Sequence, residues 1–324
     1  MFSSNDNHKF ILAGICSTLI AIGLGRFIYT PILPDMQDSL SLSSTTMGVL
    51  SSSNYLGYLV GSIFPIIIKL NNLKLVIILS SIITSSTIFL MGLTSNITLF
   101  IFLRFICGIS SALGFIFTIS LMFSAFKEAQ NTSLQLLHFC GIGLGIAIGT
   151  SIIWIISNIG FNWIAQWKIM GVLGIILCLP IVKYTNIKIE KTNNIEHQIK
   201  NEFKLNFVTI SLGYFFFGIG YIIFGTFISA LVKNSSELGH YQYLSWIVVG
   251  IFAIPSVIFW NKISKIMCSD FLLFFSCSTV TFGILFLLIG NNSYFLFVAC
   301  AFYGLGVPGS VAFILVEGKK RFVG

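Results

Sequence analysis

The sequence predicts an all-α protein whose helices cross a lipid bilayer many times. Of its 324 residues, 56% are hydrophobic and only 9% are charged. A water-soluble domain of this composition could not cover its own surface with polar groups. The charged residues cluster between apolar runs of about 20 residues, the length of a helix that crosses a hydrocarbon core about 30 Å thick. We therefore expect the chain to fold in lipid.

Ten apolar windows predict ten membrane spans, numbered 1 to 10 in chain order. Each window is bounded by Asn, Ser, Lys or Pro residues that interrupt the apolar run. The first run is too long for a cleaved signal peptide, so it counts as a span. The windows cover residues 10–33, 46–68, 73–93, 97–125, 132–157, 165–184, 205–232, 243–262, 270–290 and 293–317.

The distribution of Lys and Arg predicts a cytoplasmic N-terminus, because cytoplasmic loops are enriched in these residues. Of the 18 Lys and Arg residues, fourteen fall in the terminal segments and loops on the N-terminal side of the predicted spans. Lys168 and Lys233 fall on the opposite side, and Arg26 and Arg104 lie within spans. This topology also accounts for the net charge of +8, so nucleic acid is not an expected partner.

The longest polar segment, residues 185–204, divides six predicted spans from four. We expect it to be a solvated cytoplasmic linker, since Glu190, Glu196 and Glu202 stand among its lysines and such a mixed charge run is typical of a solvated tether. The predicted units are therefore an N-terminal bundle over residues 1–184 and a partial C-terminal bundle over residues 205–324.

An internal repeat supports this division. Residues 23–29, which contain Arg26, resemble residues 218–224, which contain Tyr221. Residues 104–108 in span 4 weakly resemble residues 300–304 in span 10. Transporters built from two parallel repeats place their substrate site between the halves, near the middle of the membrane.

Arg26 and Arg104 are the strongest candidates for a functional site. Each lies about seven residues from the outer end of its span, hence about 10 Å deep at 1.5 Å per residue. Burying one cation there costs on the order of 3 kcal/mol on insertion scales, and no Asp or Glu is predicted deep in any span. Our hypothesis is that Arg26 or Arg104 meets a carboxylate or other anionic group on the cargo. The alternative is that each arginine caps backbone carbonyls and Tyr or Asn side chains.

Span 2 offers a polar face whose role the sequence leaves open. Asn54, Gly57, Tyr58 and Gly61 are spaced i, i+3, i+4 and i+7, so they share one side of a helix. That side either lines a polar cavity or admits a neighbouring helix at its two glycines.

Span 5 combines one histidine with a glycine stripe. Gly141, Gly145 and Gly149 recur every four residues, which predicts close contact with another helix. His138 precedes them and is either a proton relay or a buried histidine bonded to a carbonyl.

The sequence contains no motif of a metal site, a nucleotide site or a catalytic centre. The cysteines are isolated, no HExxH is present, and no glycine-rich stretch is followed by Gly-Lys-Ser/Thr. A serine-hydrolase elbow is also absent. We therefore expect no cofactor, no metal and no enzymatic activity.

Several of these motifs resemble a transporter family. Residues 103–112 are similar to the span-4 arginine and glycine motif of the major facilitator superfamily. Residues 23–34, 54–58, 137–145 and 218–227 resemble the YbfB/YjiJ-type branch of that superfamily.

The resemblance implies a secondary active permease of the inner membrane that moves a small solute by alternating access and couples it to a proton or another ion. It implies two six-helix bundles, so the chain is predicted to have a six-helix N-terminal bundle and an incomplete, four-helix C-terminal bundle. The alternative is a truncated, non-transporting remnant, and a membrane enzyme or receptor ranks last. Residues 69–74 lack the Gly, Asp and Arg pattern that gates the cytoplasmic side in the family. The residues expected to face the cavity are Arg26, Tyr29, Asn54, Tyr58, Arg104, His138 and Tyr221.

Overall fold

The structure, a computed structural model, describes residues 4–68, 72–126, 132–185, 205–290 and 292–322. These residues are almost entirely helical. The predicted linker, apart from Thr185, lies outside the described residues. The same holds for residues 69–71, so the segment 69–74, which lacks the gating pattern of the resembled family, is described only in part.

Each of the ten predicted spans corresponds to a long helix in the described residues, six before residues 186–204 and four after them. Span 1 consists of Ser4–Thr18, the π-helix Leu19–Phe27 and Tyr29–Leu40. Span 5 consists of Thr132–Leu136, the 3₁₀ turn Leu137–Phe139 and Cys140–Asn158. The remaining spans, 2 to 4 and 6 to 10, are Ser44–Ile67, Leu73–Met91, Ile97–Ala125, Trp163–Tyr184, Leu205–Lys233, Gln242–Ile263, Ser269–Ile289 and Ser293–Phe322.

Nine helical stretches in the described part of the chain are long and apolar enough to cross a membrane. The ten-span prediction differs at span 2, Ser44–Ile67, which is not among the nine although its 24 residues extend about 36 Å. Serine, threonine and asparagine side chains make this helix less apolar. Several of them are buried against the other helices, including Ser51, Ser53 and Asn54, as polar groups within a membrane protein usually are.

The polar residues that bounded the predicted windows cap the helices. Ser43, Asn72, Asn96 and Asn162 each accept a hydrogen bond from the backbone N–H three residues later. A side-chain oxygen at this position satisfies one of the N–H groups that a helix leaves unpaired at its start. The observed starts of spans 2, 3, 4 and 6 therefore follow directly from local sequence.

The middle of span 1 departs from an ordinary α-helix. Leu19–Phe27 forms a π-helix, a wider winding that is rare and frequently found at functional sites. Its glycines allow close approach of span 5, since a Cβ on Gly23 would lie 2.6 Å from the Cα of Gly145. Gly141 of the same stripe packs against the Ile15 carbonyl of span 1. This confirms the close helix contact predicted for span 5.

Spans 2 and 4 also pack through glycine. A Cβ on Gly57 or Gly61 would meet the backbone of Phe105 or Ile109, and a Cβ on Gly108 would meet the Asn54 carbonyl. The two glycines of the span 2 face therefore serve helix packing, which was one of the two readings left open.

The internal repeat is visible in the same kind of contact. Gly304 of span 10 packs against the Val249 carbonyl of span 8, as Gly108 of span 4 packs against Asn54 of span 2. Val249 follows Asn54 by 195 residues in the sequence. The same offset of 195 separates the partners of two hydrogen bonds between spans 1 and 7. Spans 1, 2 and 4 thus have counterparts in spans 7, 8 and 10.

Gly108→Ala is expected to destabilise the protein because its methyl group has no space between spans 2 and 4. Forcing a methyl group into a packed interior typically lowers the free energy of unfolding by about 1–3 kcal/mol. The matched control is Gly218→Ala, since a Cβ at Gly218 has open space around it. Thermal unfolding in detergent should show a lower midpoint for Gly108→Ala alone. Equal midpoints for the two variants would contradict the packing described.

Candidate functional site

Arg26 lies at the end of the π-helix, with its charge inside a ring of aromatic side chains. Its Nη2 donates a hydrogen bond of 2.9 Å to the hydroxyl oxygen of Tyr221. Its guanidinium carbon lies 4.9 Å from the ring centre of Tyr55, 5.3 Å from Tyr58 and 5.6 Å from both Phe27 and Tyr221. Aromatic faces attract a cation, and the attraction is worth about 2 kcal/mol or more where water is excluded.

The aromatic rings surround the charge of Arg26, but they do not provide an ionic partner. Among the described residues, no carboxylate forms an ion pair with it. Its Nε is buried and has no hydrogen-bond partner in the described structure. A buried charged donor without a partner is unfavourable. An anion that accepts hydrogen bonds from Nε and Nη would supply what the described side chains do not.

A cavity of about 330 Å³ adjoins Arg26, within the size range of small-molecule sites. Both repeats line it. Spans 1, 2, 4 and 5 contribute Ile22, Arg26, Phe27, Tyr55, Tyr58, Leu59, Ser62, Phe115 and Ile142. Spans 7 and 10 contribute Tyr214, Tyr221, Ile222, Val307, Pro308 and Val311.

The cavity extends from Arg26 toward the end of the bundle that carries the N-terminus. Span 1 ascends from that end and span 2 returns to it, so Ile22 and Ser62 both lie on the N-terminal side of Arg26. Toward the other end, span 1 is joined to spans 7 and 8. The Thr30 hydroxyl donates to the Gly225 carbonyl at 2.6 Å, and Trp246 Nε1 donates to the Phe27 carbonyl at 3.3 Å.

Three of the seven predicted site residues, Arg26, Tyr58 and Tyr221, line this cavity. Arg104 does not. It is fully buried, its Nε and Nη1 lie 3.4 Å from the carbonyls of Leu50 and Gly25, and its charge lies 4.6 Å from the ring centre of Tyr29. These contacts correspond to the alternative in which the arginine caps carbonyls. Tyr29 is likewise buried outside the cavity lining and donates to the Met47 carbonyl.

Asn54 contacts the same backbone carbonyl as Arg104, that of Gly25. Its Nδ2 lies 3.4 Å from the Gly25 carbonyl and 3.0 Å from the Arg104 carbonyl. Cys107 Sγ approaches the Gly25 oxygen at 3.3 Å. Three side chains from spans 2 and 4 therefore converge on the backbone one residue before Arg26. Asn54 and Arg104 lie behind the site and hold the segment that carries it.

His138 lies in the 3₁₀ turn of span 5 and is fully buried. Its Nδ1 is 2.7 Å from the Gln135 carbonyl oxygen, and it is not part of the cavity lining. These contacts correspond to the alternative of a buried histidine bonded to a carbonyl.

Tyr55 lines the cavity and has its ring 4.9 Å from the Arg26 charge, although it was not among the predicted site residues. The polar face of span 2 was drawn through Asn54, whereas Tyr55, Tyr58 and Ser62 are spaced i, i+3 and i+7 and share the face that lines the cavity. The sequence feature that marks this face is its two tyrosines, whose rings attract the Arg26 cation. Hydrogen-bonding capacity alone does not distinguish this face from the one that carries Asn54.

A larger depression of about 660 Å³ lies between spans 7 and 9 and shares Tyr214 and Tyr221 with the Arg26 cavity. Its lining is mainly aromatic and aliphatic, its one charged residue is Asp270, and all its residues come from the second repeat. No group of three His, Cys, Asp or Glu that could hold a metal ion occurs among the described residues. The Arg26 cavity is therefore the site where charge, enclosure and both repeats coincide.

A protein-family model described as the uncharacterised MFS-type transporter YbfB matches residues 18–322. The chain belongs to this family of major facilitator transporters. The match covers nearly the whole chain, including every residue that lines the Arg26 cavity. A search of curated proteins gave no match.

Solved transporter structures share the fold of this YbfB-type chain. The nucleoside transporter NupG superposes with a TM-score of 0.66 at 13% sequence identity, covering 97% of this chain and 82% of that one. A bacterial homologue of the human lysosomal transporter Spinster, in an inward-facing and occupied conformation, superposes with a TM-score of 0.65 at 15% identity, covering 95% and 74%. At this identity the likeness establishes the fold. The YbfB-type chain is thus a multi-pass membrane transporter.

Arg104→Leu is expected to destabilise this transporter more than Arg26→Leu does. Leucine at position 104 removes two hydrogen bonds from a charged donor and the contact with the Tyr29 ring in a closed interior. A hydrogen bond to a charged group contributes about 1.5–3 kcal/mol. Leucine at position 26 removes a cation that already lacks an ionic partner. Thermal unfolding of both variants in the same detergent checks this difference. A lower midpoint for Arg26→Leu would reverse the assigned roles.

Proposed function

We propose that this protein is a secondary active permease that moves a small anionic solute across the inner membrane by alternating access. The observation that carries the proposal is the Arg26 cation, which lies in a cavity between the two repeats with a buried, unpartnered Nε. Membership of a transporter family supports the general activity. The anionic nature of the solute rests on Arg26.

The chemistry of the cavity favours a carboxylate or phosphate group. A guanidinium binds two oxygens of such a group through parallel hydrogen bonds. Tyr55, Tyr58 and Tyr221 surround Arg26 with ring faces, while Ile22, Phe115, Val307 and other apolar residues line the rest. A solute with one anionic group and a small apolar body fits this lining.

The proposed movement is a rocking of residues 1–184 against residues 205–324 around the cavity, with residues 185–204 as the tether between them. Repeats of this kind alternate access to a fixed central site. With the N-terminus in the cytoplasm, as the loop charges predict, the cavity extends toward the cytoplasm. We expect a proton or another ion to supply the energy. His138 does not line the cavity, and its Nδ1 lies 2.7 Å from the Gln135 carbonyl oxygen, so the proposal assigns the coupling role to no residue.

Anionic solutes should stabilise the wild-type protein most, Arg26→Lys less because an ammonium cannot form two parallel hydrogen bonds, and Arg26→Gln not at all. A ligand at 100 times its Kd adds about 2.7 kcal/mol to the free energy of unfolding. The measurement is thermal unfolding in detergent with lactate, succinate, glycerol 3-phosphate or inorganic phosphate, and with uridine and glucose as uncharged comparators. Solutes that stabilise the protein are then tested for uptake into proteoliposomes.

The outcomes separate the parts of the proposal. Stabilisation by uridine or glucose alone, or equal stabilisation of Arg26→Gln by an anion, would show that Arg26 does not bind an anionic group. Binding of an anion without uptake under either a proton or a sodium gradient would favour the non-transporting alternative. Uptake that is abolished in Arg26→Gln and retained in part in Arg26→Lys would support the proposal in full.

A further inference from the structure

A second polar cluster lies at the end of the bundle opposite the N-terminus. It is formed where spans 1, 5 and 7 end and spans 6 and 8 begin. The Asp35 cluster consists of Asp35, Asp38, Ser157, Gln166, Lys233 and Tyr243.

Asp35 is the centre of this cluster. Its Oδ2 accepts hydrogen bonds from Gln166 Nε2 at 2.7 Å and from the Tyr243 hydroxyl at 2.8 Å. Its Oδ1 accepts from Lys233 Nζ at 3.2 Å. The Tyr243 hydroxyl is also 3.0 Å from Ser157 Oγ. A carboxylate held by three donors has a defined orientation, and each bond to a charged group is stronger than a neutral one.

The bonds of Asp35 divide between the two repeats. Gln166 belongs to the first six spans and orients the carboxylate from its own side. Lys233 and Tyr243 belong to spans 7 and 8, so both of their bonds cross between the halves. Separation of the halves at this end would break both bonds and would also part Tyr243 from Ser157.

We propose that Asp35 is the positioning residue that holds the outer end of the two halves together, so that the Arg26 cavity faces the N-terminal end alone. Solute exchange at the outer end then requires release of Lys233 and Tyr243 from Asp35. This inference rests on the proposed permease function, since it assigns a state of the alternating-access cycle to the observed structure.

Burial distinguishes Asp35 from its neighbour Asp38. The side chain of Asp35 is 19% exposed and that of Lys233 is 26% exposed, whereas Asp38 is 64% exposed. Lys233 Nζ lies 2.6 Å from Asp38 Oδ2, but water and salt compete with an ion pair at such an exposed carboxylate. Although Asp38 lies closer to Lys233, Asp35 is expected to determine whether the outer end of the two halves is closed.

The position of the cluster follows the repeat. Asp38 and Lys233 are separated by 195 residues in the sequence, as are Arg26 and Tyr221, and Thr30 and Gly225. Spans 1 and 7 therefore meet at equivalent residues along their length, as surfaces related by a two-fold axis do. The contacts nearest the outer end are the ones that a rocking movement separates most.

The test measures the separation of the halves directly. Ser95, between spans 3 and 4, and Ser236, between spans 7 and 8, are exposed at the outer end and are replaced by cysteine for spin labelling. Cys268 and Cys277, the exposed and half-buried native cysteines, are replaced by serine. Pulsed electron paramagnetic resonance on the full chain in nanodiscs then gives the distance distribution between the labels.

Asp35→Asn should add a population with a longer distance between the labels, while the matched control Asp38→Asn keeps the wild-type distribution. Asp35→Glu should restore the short distance in part. If Asp35→Asn fails to give a monodisperse protein on gel filtration, Lys233→Met replaces it, with Lys233→Arg as the conservative rescue.

An unchanged distribution in the folded Asp35→Asn or Lys233→Met protein would overturn the inference, as would an equal shift in Asp38→Asn. The measurement needs no solute, so it is independent of the binding assay. A shifted distance together with an absence of anion binding would leave the closure intact and contradict the proposed solute. Anion binding at Arg26 without a change in the distance between the labels would support the proposed solute and contradict the closure.

Discussion

The burial of the Arg26 cation is the constraint on which the site between the two repeats depends. A guanidinium in the membrane interior is tolerated when donors, rings or water replace its hydration. The structure meets this need with four aromatic rings and the Tyr221 hydroxyl. Tyr221 comes from the second repeat, so the same cation that defines the cavity also draws spans 1 and 7 together. An anionic solute would compete for the interaction that links the halves.

The backbone next to Arg26 is held by groups that never reach the cavity. The π-helical winding of Leu19–Phe27 and its glycines bring span 1 within direct backbone contact of span 5. Asn54 and Arg104 then bond to the Gly25 carbonyl from spans 2 and 4. One buried arginine therefore positions the other. A rigid support of this kind fixes the position of Arg26 within the first repeat.

The interface between the repeats changes character along its length. The cavity occupies the N-terminal side, the Asp35 cluster occupies the opposite end, and glycine contacts join spans 5 and 8 between them. A Cβ on Gly143 would meet the backbone of Ile254, and a Cβ on Gly250 would meet that of Ala147. Close backbone packing resists separation, whereas hydrogen bonds between side chains can break and re-form. This distribution of contacts suits a movement that opens one end while the other closes.

The sequence by itself determined the membrane fold, the number of long helices and nearly all of their limits, because apolar length and capping residues act locally. It also predicted three residues that line the cavity, Arg26, Tyr58 and Tyr221. It could not separate Arg26 from Arg104, since both have the same chemistry at the same depth and differ only in what surrounds them. Only the tertiary structure decided that Arg104 contacts backbone carbonyls while Arg26 lines a cavity. It also brought Asp35 to Lys233, which are 198 residues apart in the sequence. Long-range pairings of this kind depend on how two repeats dock, and no local pattern encodes that.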